Sequence, residues 1–237
     1  MDVLVLAGGT SAELPVPEKA QINIGGRRMV DHVVAALQAV PAVRSVRVHR
    51  GREQSLVANL LDAVEAMIAE GSEYVLISAC DIPFLTPEAV EDFLANCPPE
   101  CDFCYPIVRR EACERKFPGV RRTYVKLKEG TFTGGNLFLV RAEALPPLRE
   151  RLTRIFHYRK RPLLLAREFG WGVTLSFAVS ALLRTLSVQK LERELWRLTG
   201  IRAKAVITEH AEIGTDIDKL SDLRQLEQLV INTKEVI

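Results

Sequence analysis

Three stretches of this 237-residue chain carry residues whose types and spacing suit phosphate chemistry. The first is Gly8-Gly9, with Lys19 ten residues further on. Glycines let a backbone turn sharply and bring its N–H groups against an anion. A strand, a glycine turn and a mobile lysine charge together suit a triphosphate cradle. The second is Asp81, in Cys80-Asp81-Ile82-Pro83 directly after an apolar run. The third is Gly134-Gly135-Asn136, which follows a basic stretch. Residues 109–128 hold Arg109, Arg110, Arg115, Lys116, Arg121, Arg122, Lys126 and Lys128 against Glu111 and Glu114. That pattern suits an anionic substrate held by the cations, Lys126 among them, with the glycines and the Asn136 amide reaching its polar groups. Each stretch has a plainer alternative: a tight turn after a first strand, a turn-forming aspartate, and a solvated charged face.

Two well-known phosphate motifs do not match. A P-loop needs G-x-x-x-x-G-K-[ST] and a dinucleotide fold needs G-x-G-x-x-G. After Gly9 this chain has Thr10-Ser11-Ala12-Glu13.

The elements that must position these residues follow from the apolar pattern. Residues 3–7, with β-branched Val3 and Val5, suit a short strand buried on both faces. Residues 29–40 have the spacing of an amphipathic helix, ended by Pro41, and residues 43–49 alternate as a second strand. A helix is expected at 55–70 and a buried strand at 74–79. Another helix starts at Thr86-Pro87-Glu88, with Thr86 as N-cap and Pro87 at the first helical position. Strand, helix, strand, helix, strand is the pattern of a doubly wound, mostly parallel, Rossmann-like α/β sheet. Ligands of such sheets sit at the carboxyl ends of the strands, where Gly8-Gly9 and Asp81 fall. Strands are also expected at 123–127, 137–140 and 204–208. Residues 151–200 read as a helical insertion, whose amphipathic helix at 187–198 is closed by Gly200. Ser221 is placed to cap a last helix.

Composition bounds the rest. At 48% hydrophobic and 26% charged, the chain is globular and long enough for a sizeable core. A net charge of +2 argues against a general nucleic-acid binder. Residues 170–186 are mostly apolar but short for a membrane span, and suit the core or a self-association face, as in a homodimer. Met1-Asp2 leads into a strand without a basic n-region, so no signal peptide is expected. Five cysteines, an odd number, then point to a reducing cytoplasm. Cys97, Cys101 and Cys104 have a spacing known from iron–sulfur ligation. A strand through residues 102–106 would instead point Cys101 and Cys104 to opposite faces, which favours ordinary thiols.

In this order, the motifs resemble those of nucleotidyltransferases with a glycosyltransferase-A-like fold, closest to the MobA-like NTP transferases. Leu6-Ala7-Gly8-Gly9 with a downstream lysine resembles their nucleotide loop. Ile24-Gly25-Gly26-Arg27-Arg28-Met29-Val30-Asp31-His32 resembles the stretch that follows it. Cys80-Asp81-Ile82-Pro83-Phe84-Leu85 resembles the segment whose aspartate binds magnesium, and Asp216-Ile217-Asp218 before Ser221-Asp222-Leu223 resembles the ending at the second metal position.

The resemblance implies nucleotide binding by Leu6, Ala7, Gly8, Gly9 and Lys19, catalysis by Lys19 and Asp81, and magnesium held by Asp81 with Asp218, Asp216 being second in preference. Gly134-Gly135-Asn136 resembles acceptor-side segments of sugar-phosphate members of the fold. The reaction implied moves an NMP from an NTP to a phosphorylated small molecule and releases pyrophosphate. The chain is then one domain over 1–237, with a nucleotide half (1–95), an acceptor side (96–150), a helical insertion (151–200) and a closing strand and helix (201–237). The family loop usually carries an arginine soon after the glycines, where this chain has Ser11, Ala12 and Glu13. Two alternatives stand beside this reading. One is a glycosyltransferase using a nucleotide sugar, which wants an Asp-x-Asp after a strand. The other is a nucleotide-binding or regulatory protein of the same fold with weak catalysis.

Overall fold

The computed structural model describes residues 1–8, 18–51, 56–158, 161, 164 and 185–219. At its centre β1 (Asp2–Leu6) lies between β4 (Ser45–His49) and β5 (Tyr74–Ala79), parallel to both. The first four residues of β1 are buried because its two faces meet different helices. Val3 and Val5 pack in a core that includes Met29, Val33 and Leu37 of α1 (Met29–Gln38) and Phe93 of α3 (Pro87–Ala95). Leu4 packs with Leu61, Val64 and Met67 of α2 (Leu56–Ala69) on the other side. A continuous apolar run, rather than an alternating one, is what such a two-sided strand requires.

The remaining strands complete a sheet ordered β4-β1-β5-β9-β6-β8-β7, with β10 (Ala203–Thr208) on the other edge of β6 (Phe103–Arg109). Their ranges are β7 Val125–Leu127, β8 Gly130–Gly134 and β9 Leu137–Arg141; β2 (Asn23–Ile24) and β3 (Arg27–Arg28) form a separate small ribbon. The pairings set β4, β1, β5, β6, β10 and β7 in one direction, and β8 and β9 in the other. The sheet is thus mostly parallel. Antiparallel β9 lies between β5 and β6 and joins the two parts of the sheet. α4 (Arg110–Lys116) follows β6, and α5 (Arg149–Tyr158) and α6 (Val188–Thr199) lie between β9 and β10 in the chain.

Local signals explain several boundaries. The Thr86 hydroxyl accepts from Ala89 N at 3.3 Å, capping α3 with Pro87 at its start. Ser187 caps α6 by accepting from Lys190 N at 3.2 Å, and Gly200 closes it at φ 73°, where a β-carbon would be strained. The second strand departs from expectation: it starts at Ser45 rather than 43, and Val48 is 41% exposed. It lies at the edge of the sheet, so its face has fewer neighbours. The thiols differ too. Cys101 lies in a turn before β6, where its N–H donates to Pro98 O at 3.1 Å. Strand alternation therefore does not apply to it, and the Cys97 thiol donates to Phe93 O at 3.2 Å. Most of residues 170–186, and Ser221 with the expected last helix, lie outside the described residues.

Candidate active site

The carboxyl ends of β1 and β5 face the chain segment that follows β10, and there a lysine meets three aspartates. Lys19 opens a short 3-10 turn, Lys19–Gln21. Its Nζ lies 3.0 Å from Asp81 Oδ2 and also pairs with Asp218 Oδ1. Asp81 sits two residues past β5. Asp216 and Asp218 follow a 3-10 turn, Ala211–Gly214. Oxygens of Asp81, Asp216 and Asp218 all lie within 4.8 Å of one another, the metal-capable cluster found among the described residues.

The electrostatics follow from that crowding. Burial pulls the Lys19 ammonium down, but the charges of Asp81 and Asp218 outweigh it and hold its pKa above the ordinary lysine range. Burial, and then the charges of Asp81 and Asp218, push the Asp216 carboxyl up to about 6. A site this rich in negative charge favours a cation.

The segments bearing these groups are fastened by backbone and by side chains. Ile217 N donates to Asp81 O at 2.9 Å, joining the two aspartate loops directly. Ala79 N donates to Asn136 O at 2.8 Å, and Asn136 N donates to Ile213 O at 2.9 Å. The β8–β9 connection therefore holds the end of β5 against the 211–214 turn. Buried Glu212 accepts from Thr86 at 3.3 Å and pairs with Lys116 at 2.8 Å, with His210 Nδ1 3.5 Å away. Burial raises its pKa, yet Lys116 and its own backbone N–H bring it below the usual range. Arg122 donates to Gly214 O at 3.1 Å and to the Thr215 hydroxyl, with its guanidinium over the Phe117 ring.

The placement of the other expected residues is mixed. Leu6 ends β1, Ala7 is buried with its N–H on His49 O at 2.8 Å, and Gly8 is exposed. A β-carbon on Gly8 would lie 2.7 Å from Arg50 O, so that turn admits glycine alone. Gly9 lies outside the described residues. Gly134 and Gly135 have a packing reason: a β-carbon on Gly135 would come 2.7 Å from both Ile213 and Pro106 side chains, and one on Gly134 would strike the Tyr105 hydroxyl. Lys126 lies on β7, which pairs with β8 and not with β5, and no ion pair joins it to the aspartates among the described residues. Much of the basic stretch is paired instead: Arg109 and Arg115 with Glu209, Arg110 with Glu114, Lys116 with Glu212. The roles of Lys116, Arg122 and Glu212 escaped the sequence reading, because their partners lie some 90 residues or more away.

Comparison with known proteins bears on the fold and the family. The chain folds as a nucleotidyltransferase: it resembles the solved structure of a CMP:2-keto-3-deoxy-manno-octonic acid synthetase complexed with CTP over 98% of each chain, at a TM-score of 0.60 and 16% identity. The family model of the MobA-like NTP transferase domain matches residues 42–200, and the chain belongs to that family. A hypothetical transferase from Thermus thermophilus is 38% identical, with a TM-score of 0.79 over 94% of this chain and 98% of that one. A molybdenum cofactor guanylyltransferase of Shewanella halifaxensis is 24% identical over 112 residues, 40% of this chain and 55% of that protein. The chain spans about half the length of the curated relatives it matches.

Proposed function

We propose that this protein is a magnesium-dependent nucleotidyltransferase that moves an NMP from an NTP to a phosphorylated small molecule and releases pyrophosphate. The observation that carries this reading is the meeting of Lys19 with Asp81, Asp216 and Asp218 at the strand ends. In the reaction an acceptor phosphate oxygen bonds to the α-phosphorus while the α–β phosphoanhydride bond breaks. An anion must attack an anion, so the site needs positive charge and orientation more than a covalent nucleophile.

The donor set fits the cation. Magnesium takes hard oxygen ligands, and three carboxylates with oxygens within 4.8 Å of one another offer them. Asp81, Asp216 and Asp218 would hold the ion, which when bound supplies positive charge to phosphate oxygens. Lys19 adds a further cation beside them, where it neutralises the triphosphate and the departing pyrophosphate. The glycine turn after β1 brings backbone close to the nucleotide, since Gly8 carries no side chain toward Arg50. The fastening of the aspartate loops keeps these groups in register through turnover. The domain layout that suits this reading is a nucleotide half at 1–95 and an acceptor side at 96–150, with 151–200 inserted before the closing segment.

Thermal-shift binding tests the proposal with GTP, CTP, ATP and UTP, each with and without magnesium, on wild type and Asp81→Ala. A ligand that binds the folded state raises the midpoint by mass action. One nucleotide is expected to stabilise the wild type only with magnesium, and Asp81→Ala to lose the effect. If no nucleotide at millimolar concentration shifts the midpoint, the transferase reading fails.

A further inference from the structure

Between α6 and the sheet lies a cavity of about 330 Å³, walled by Phe103, Tyr105 and Ile107 of β6, Phe132 of β8, and Leu191 and Leu195 of α6. Its size falls at the small end of ligand pockets, which run from about 300 to 1,000 Å³. Its lining is apolar in effect as well as in composition. The Glu192 carboxylate at its edge is already engaged, accepting from Ala205 N at 2.9 Å and pairing with Lys204 at 3.5 Å. A sugar would find little to hydrogen-bond there, and its hydroxyls would lose their water without compensation.

Two observations tie the cavity to the candidate active site. Gly134 lines it, and a β-carbon on Gly214 would lie 3.2 Å from Gly134 O, two residues before Asp216. The Tyr105 hydroxyl stands against Gly134, and burial first, then the charge of Asp216, raises its pKa. Odd-numbered residues of β6 share the face of the cavity, and the last of them, Arg109, which pairs with Glu209, places its guanidinium 5.4 Å from the centre of the Phe132 ring. That residue lies at the carboxyl end of β6, the same end of the sheet as the aspartates.

We infer that this cavity is the acceptor subsite and that the acceptor is a phosphate monoester with a small apolar body, such as an alkyl or aryl group, rather than a sugar phosphate. The inference rests on the nucleotidyltransferase reading and deepens it. The apolar body fills the space between α6 and Phe132, while the phosphate end emerges past Tyr105 and Gly134 toward Asp216. An oxygen of that phosphate, dianionic at neutral pH, forms the new bond to the α-phosphorus, and pyrophosphate leaves with the electron pair of the broken bond. No proton transfer is required.

The test is a series of n-alkyl phosphates from propyl to hexyl, with glucose 1-phosphate as the polar control, titrated calorimetrically into the full chain. Each buried methylene should tighten binding by about fourfold, and glucose 1-phosphate should bind more weakly than hexyl phosphate by at least tenfold. Filling the space by Ala205→Phe or, separately, Leu195→Trp should abolish the dependence on chain length. Both variants should keep the wild-type magnesium–nucleotide stabilisation, which shows that each is folded. A Kd that does not change along the series, or glucose 1-phosphate binding as well as hexyl phosphate, overturns the inference. Neither result touches the nucleotidyltransferase reading, which stands or falls on the magnesium–nucleotide shift.

Discussion

Replacing Lys19 by glutamine removes the cation that pairs with both Asp81 and Asp218, and keeps the side chain long and polar. At 3.0 Å and an effective dielectric of about 20, the Lys19–Asp81 attraction is about 5 kcal/mol. Desolvation of the ammonium, whose side chain is 12% exposed, offsets much of that. Asp218 is 57% exposed and adds little through solvent screening. The net loss in the metal-free protein is about 2 kcal/mol, which in a chain of this length lowers the melting midpoint by about 4–8 °C. Magnesium and the ammonium compete for the same carboxylates. The variant should therefore bind magnesium about tenfold more tightly than wild type and recover its midpoint when the ion is added. Its affinity for the magnesium–nucleotide complex should fall, because the triphosphate loses a cation. Differential scanning fluorimetry across a magnesium titration, with and without the preferred NTP, reads all three. A metal-free midpoint equal to wild type, together with an unchanged magnesium response, would refute the claim that Lys19 is the counter-ion of this cluster.

Three further outcomes follow from the same geometry. Asp216 holds its proton up to about pH 6 in the folded chain, against about 3.8 when unfolded. The folded state thus binds the proton more tightly, and the contribution is lost as pH rises through that window. Asp216→Asn should flatten this part of the metal-free stability profile measured by urea unfolding. Arg122→Ala should weaken magnesium binding by about tenfold by freeing Gly214 and Thr215, while Arg122→Lys restores part of it; equal magnesium affinity in all three proteins would make Arg122 a surface residue only. Gly135→Ala should cost about 1–3 kcal/mol by overpacking Ile213 and Pro106, and a wild-type unfolding midpoint would show that those neighbours yield freely.

Legibility differed by the range over which each signal acts. The β1 strand, α1, α2 and β5 were readable because burial imposes a local period on the chain. The caps of α3 and α6 were readable because Thr86-Pro87 and Ser187 with Gly200 act within a turn of the helix end. The motif order also pointed to Lys19, Asp81, Asp216 and Asp218, which the fold brings to one place. Two glycines before a strand look like an opening for substrate, and the structure adds a role that their local sequence does not show: they pack closely against Tyr105, Pro106 and Ile213. The basic stretch likewise looked like an anion site, but several of its cations find acidic partners, two of which, Glu209 and Glu212, lie far along the chain.

By itself the sequence determined the alternation of strands and helices, and with it the mostly parallel sheet whose carboxyl ends hold the glycine and aspartate motifs. Those properties follow from periodicity and from short-range capping, which a single segment carries on its own. Only the tertiary structure decided that β9 runs antiparallel between β5 and β6 and that Arg122 and Glu212 fasten the aspartate loop. It also decided that an apolar cavity opens between α6 and the sheet. Each of these joins residues distant in sequence, and such pairings are set by the packing of the whole chain, which leaves no local pattern to read.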